Sequence, residues 1–315
     1  MTTNVSVPQI MAAPAVDAEK GHRARLRIMY YIATGLALIQ LAYGLNYYIL
    51  SQAERALSPK HELLKPSGMI GLHLGMVAFA LFLIVYVYPL RKIWPWLGRQ
   101  GSARHWLDFH VLLGITAPIL VTFHSAFKFS GLAGVAFWLM VIVAISGIVG
   151  RYIYAQIPRS LGFAEVSLKE ANEQSGKLAE QLKGLGILSP REVDSLVRLP
   201  NLQQSESMSL LTALWKMMLF DMEFPFRIMR LRQKMLWSHR KTMSLVGLRR
   251  TENAKLESAI ATAREQVVLA KKILFLSKTH KMLHLWHLIH RPFSYSFALL
   301  ASIHVILMVM LGYYR

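Results

Sequence analysis

The chain has 315 residues, is 54% hydrophobic, carries a formal net charge of +19 and contains no cysteine. Its mean hydropathy of +0.36 is too apolar for an ordinary soluble domain. Without thiols, disulfides, thiolate zinc sites, cysteine-ligated iron–sulfur clusters and covalent c-type haem attachment are excluded, so any redox cofactor needs other ligands.

Residues 1–20 contain Ala, Val and Pro without periodicity and are expected to be disordered. Apolar runs at 28–50, 68–90, 106–127, 131–154 and 285–313 each approach the roughly 20 residues that cross a bilayer as a helix. They predict an all-α fold, a polytopic membrane bundle of about five transmembrane helices. The first run has no small-residue cleavage site behind it and reads as a retained span. The expected organisation is an N-terminal segment 1–27, four spans within 28–154, a helical insert 155–283 and a fifth span within 284–315.

Charge follows the spans. Arg23, Arg25 and Arg27 precede the first, and Arg91, Lys92, Arg99 and Arg104 lie between the second and third. The segment 51–67 and the turn Lys128–Gly131 carry less. The positive-inside rule then puts the N-terminus in the cytoplasm and the C-terminus on the outer side of a prokaryotic-type inner membrane. The basic balance reads as contact with membrane lipid, not with nucleic acid.

The insert is basic: between 151 and 283 there are 22 Lys plus Arg against 12 Asp plus Glu. Ser167–Glu170 has the form of a capping box, and Ser189-Pro190-Arg191-Glu192 is a stronger helix start. Residues 207–236 are rich in Leu, Met, Phe and Trp, but Lys216, Asp221, Glu223 and Pro225 interrupt them, so an interfacial amphipathic segment is expected there instead of a sixth crossing. Residues 251–279 read as one long helix.

The chemistry rests on the histidines. His110 and His124 are 14 residues apart in the third span, and His290 and His304 are 14 apart in the fifth. Fourteen residues rise roughly 21 Å along an α-helix and return to within about 40° of the starting face. Each of these helices then carries two imidazoles on one side, one near each membrane surface. His105, His284 and His287 fail the same test, lying about 100–160° off face. Intramembrane ionisable residues are costly and point to function. The two helices run in the same direction, which pairs His110 with His290 and His124 with His304. Each pair can ligate one b-type haem through neutral imidazole nitrogen, with both axial positions filled and no open site for oxygen chemistry.

Haem propionates need cationic partners, and Arg104, Arg151 and Arg291 at the inner end and Lys128 at the outer end are the candidates. Gly114 and Pro118 lie between the histidines of span three and would make room for a macrocycle. Phe297, midway between His290 and His304, reads as packing. For His73 three readings stay open: a hydrogen bond to a neighbouring helix, a quinone or proton site, and ligation of a third haem. The cluster His280, His284 and His287 is open between headgroup contacts, a proton path and a further cofactor site. His22, His61 and His239 sit in polar contexts and need no special explanation.

With His110-x13-His124 and His290-x13-His304 separated by one span, the chain resembles the transmembrane di-haem b cytochromes of the ferric reductase and NADPH oxidase type. The resemblance covers spans two to five. It implies a membrane electron-transfer subunit that relays electrons across the bilayer. The chain ends after span five without a flavin or nicotinamide domain and without a G-x-G-x-x-G between strand and helix. Electrons would then be exchanged with a quinone pool and with a redox partner such as a c-type cytochrome or an iron–sulfur protein. Two other classes compete: a haem-free membrane anchor or sensor whose insert recruits a cytoplasmic partner, and a proton or metal-ion carrier. The carrier would need acidic groups within the spans, and Asp108 is the only carboxylate in span three.

Overall fold

A computed structural model describes residues 13–157, 207–237 and 254–313, with isolated helical positions between 173 and 184. The helix starts expected at Ser167 and Ser189, and His239, lie outside the described residues. Every regular element among the described residues is helical, and five helices are long and apolar enough to cross a membrane. The protein is an all-α, polytopic membrane bundle. The chain divides into two compact units, Met1–Arg151 with Leu288–Arg315, and Tyr152–His287.

In the first unit α1 (Ala13–Tyr48) starts fifteen residues before its apolar run, so part of the segment expected to be disordered is helical. The short helices α2 (Gln52–Arg55) and α3 (His61–Leu64) lead to α4 (Met69–Val85) and α5 (Val87–Leu90). Helix α2 opens with a reciprocal capping box between Ser51 and Glu54. The Ser51 hydroxyl, its main bonding partner, holds the Glu54 carboxyl below the usual carboxylate range. After α6 (Pro95–Gly98) come α7 (Ala103–His124) and α8 (Gly131–Gln156), the third and fourth spans.

The closest backbone packing runs between α4 and α7, with α1 against α7 and α3 against α4. Glycine makes it possible: a Cβ on Gly75 would sit 2.6 Å from the His124 ring, and one on Gly71 would sit 2.1 Å from the Lys65 carbonyl. At the His124 end of these helices Tyr47, Tyr48, Leu64, Phe123 and Ala126 form a buried cluster. Arg55 is buried beside it. Its guanidinium donates to the backbone oxygens of Leu50 (3.0 Å), Ala126 (2.5 Å) and Tyr48 (2.6 Å). The turn it grips is unusual, because Ala126 (φ 48°) and Phe127 (φ 60°) are both left-handed. That conformation costs a non-glycine residue roughly 1–2 kcal/mol, and the charge-assisted bond from Arg55 offsets part of it.

In the second unit the segment expected to be amphipathic forms one helix, α9 (Leu210–Trp237), which runs through Pro225 without a break. Helix α10 (Ala254–Leu274) runs antiparallel to it. Ion pairs join Asp221 to Lys271 and Arg232 to Glu257, the latter at 2.7 Å. The helix expected over 251–279 ends at Leu274. A new one, α11, starts at Leu276 and continues to Met310. His280, His284, His287, His290 and His304 therefore all lie on one helix.

Candidate functional site

Helix α7 begins at Ser102, whose hydroxyl caps the His105 amide, and carries Pro118 in its interior. His110 sits two turns in. Its Nδ1 lies 3.0 Å from the carbonyl oxygen of Val85. Val85 is the last residue of α4, where carbonyls lose their intrahelical partners, so this oxygen is available to a neighbour. A carbonyl only accepts, so the proton is on Nδ1 and the lone pair of His110 is on Nε2.

His124 repeats the arrangement roughly 21 Å further along α7. Its Nδ1 donates to the carbonyl oxygen of Gly71, 2.9 Å distant, across the gap that Gly75 leaves open. On α11, His290 places Nδ1 2.7 Å from the Ser146 hydroxyl of α8. That hydroxyl also lies 2.8 Å from the Val143 carbonyl, so it bridges His290 and its own helix. His110 and His124 thus have their tautomers set by backbone acceptors, each with its lone pair on Nε2. This is the arrangement found around metal-ligating histidines, where the acceptor also raises ligand basicity.

His110 and His290 line one apolar cleft that is partly open to the surroundings. Gly114, Ala117, Ala144 and Gly147 keep its walls low, and Phe297 closes one side, packed edge-on against Phe82 with centroids 4.7 Å apart. A Cβ on Gly114 would meet nothing within 4 Å, so this glycine borders open space. Tyr86 joins α4's end to α11 across the cleft by donating to the Ser294 carbonyl at 2.7 Å. The structure brings His110 and His290 to one cleft. The cleft has an apolar lining, four of its residues are Gly or Ala, and it presents one imidazole from each of two helices. No group of three or more acidic, histidine or cysteine side chains suited to a bare metal ion occurs among the described residues.

Two of the four cations expected to meet propionates have other contacts. Arg151 pairs with Asp108 at 2.6 Å, and Arg104 pairs with Glu19 at 3.1 Å. Arg291 and Lys128 are exposed. His73 is exposed as well, and its Nδ1 meets the Met69 carbonyl of its own helix at 2.5 Å, not a neighbouring helix. Two residues along a helix turn about 200°, so with Gly71 and Gly75 facing His124, His73 faces away. His280 and His284 are exposed on α11, and His287 bonds back to the Leu283 carbonyl at 2.8 Å.

One cluster escapes the sequence. His22 is buried, stacks on His105 with centroids 3.7 Å apart and lies 3.1 Å from Asp108. Its partners are more than eighty residues away in the chain, and only the early start of α1 brings it to α7. The second missed feature is Ser146, an ordinary helix serine until α11 places His290 against it. Compared with protein-family models, characterised proteins and solved structures, the chain matches none.

Proposed function

We propose that this protein is a di-haem b-type cytochrome subunit that relays electrons across the bilayer, His110 and His290 holding one haem and His124 and His304 the other. The reading rests on one observation above all. Two histidines from different helices border one apolar cleft, and the Nδ1 of each is engaged by a protein oxygen, the Val85 carbonyl for His110 and the Ser146 hydroxyl for His290. The doubled 14-residue spacing extends the same geometry to a second level in the membrane. The resemblance to the transmembrane part of ferric reductases and NADPH oxidases is consistent with it.

When bound, bis-histidine haem supplies one-electron chemistry with no vacant coordination position. The chain does the rest. The Val85, Gly71 and Ser146 oxygens orient the imidazoles. Apolar walls exclude water and disfavour the more charged oxidised state. Arg151 and Arg104 are paired with Asp108 and Glu19, so the charges at the His110 end are largely balanced. Electrons would be exchanged with a quinone at one face and with a c-type cytochrome or iron–sulfur protein at the other. In a prokaryotic-type inner membrane the basic end is cytoplasmic under this reading. The dithionite-reduced minus oxidised spectrum of the purified protein tests it: a b-type α band is expected, and a folded, colourless protein overturns the reading.

A further inference from the structure

Helix α9 is apolar on two opposite faces. Ala213, Met217, Phe224 and Leu231 are buried. At 100° per residue they occupy a stripe only about 40° wide. Leu211 (80% exposed), Trp215 (62%), Met222 (64%) and Phe226 (62%) form the other stripe, about 60° wide and nearly opposite the first. A helix that buries one apolar face normally turns a charged one outward, and an outward apolar stripe four turns long marks an interaction surface. Apart from Asp221 and Arg232, which pair with α10, charge gathers on one flank, where Lys216, Glu223, Arg227 and Arg230 fall within about 60° of one another. Across the helix Lys and Arg outnumber Asp and Glu five to two.

The occupant follows from what α9 is attached to. Tyr152, in the last turns of the membrane helix α8, donates its hydroxyl hydrogen to Asp221 at 2.7 Å, and Asp221 is also paired with the buried Lys271. This network fastens the middle of α9 to the point where α8 ends its apolar stretch. The unit that contains α9 is also joined at its far end to α11, another membrane helix. A bilayer is therefore the partner held permanently within reach.

We propose that α9 lies in the headgroup–acyl boundary of the leaflet where α8 ends. Leu211, Trp215, Met222 and Phe226 sink into the lipid, and the basic flank lies among anionic headgroups. Trp at this depth is favoured because its ring is apolar and its N–H polar. Haem binding plays no part in this placement.

The absence of cysteine makes the chain ready for labelling. A nitroxide is placed at Trp215→Cys, at Met222→Cys and, as a lipid reference, at Ile142→Cys, an exposed position within α8. The proteins are reconstituted in vesicles of phosphatidylethanolamine with phosphatidylglycerol. Collision with oxygen, which concentrates in lipid, is compared with collision with a water-soluble nickel chelate. At 215 and 222 oxygen is expected to exceed the chelate severalfold, as at 142. Chelate exceeding oxygen would place α9 in water and overturn the proposal. Suppression of both, with an immobilised spectrum, would show a protein cover and overturn it equally.

Discussion

The imidazole of His124 donates its Nδ1 hydrogen to the Gly71 carbonyl 2.9 Å away, and the ring reaches that oxygen only because position 75 has no side chain. A helix carbonyl on α4 thereby sets which nitrogen of a histidine on α7 carries the lone pair. The same device acts on His110 through Val85, at the other end of the same two helices.

Gly75→Ala tests this close approach. The added Cβ would sit 2.6 Å from His124 Nδ1, so the ring must move. Overpacking of this kind costs about 1–3 kcal/mol. A redox titration of the variant is expected to show one b-type component displaced or missing while the His110–His290 component keeps its midpoint.

Ser146→Ala should act on the other pair. It removes the hydroxyl bonded to His290 Nδ1 and leaves the helix intact. Loss of such an outer partner typically weakens metal affinity by about 10–100-fold. The variant is expected to lose haem from the His110–His290 site on dilution into detergent, with the second component retained. Equal loss from both sites would contradict the assignment.

Asp108 bridges Arg151 and His22, and its side chain is only 12% exposed. Asp108→Ala strands the partly buried Arg151. Breaking a buried pair costs about 3–5 kcal/mol, and partial exposure of Arg151 brings the expected loss to about 2–3 kcal/mol. The melting temperature in detergent should fall. Asp108→Ala with Arg151→Ala should lose less than the two single changes summed.

Arg55 holds three backbone oxygens at once. Arg55→Lys keeps the charge, but an ammonium on a flexible stem does not match a three-way planar fork. It should cost about 1–3 kcal/mol in thermal unfolding, with Arg55→Ala costing more. Equal stability of the lysine variant and the wild type would show that charge alone matters there.

The spans were legible in the sequence because hydropathy over about 20 residues is a local property. The 14-residue spacing was legible for the same reason: helical geometry carries it without knowledge of any neighbour. What the histidines touch was not. Val85, Gly71 and Ser146 contribute backbone or a single hydroxyl, and their relevance arises only when α4, α8 and α11 meet α7. His22 looked ordinary because its charged surroundings in the chain gave no hint of Asp108. His73 drew attention by type and depth, yet its position two residues from Gly71 and Gly75 already turned it from the face that meets His124. The break at Phe275, which puts five histidines on one helix, falls inside a helical pattern that the sequence presents as continuous.

The central claim is that four histidines in two pairs hold two haems. A pyridine haemochrome assay with protein quantification, on the wild type and on His124→Ala and His290→Ala separately, tests it most directly. The account predicts two b-type haems per chain in the wild type and one in each variant. A folded wild type without haem, or variants that keep both haems, would contradict it.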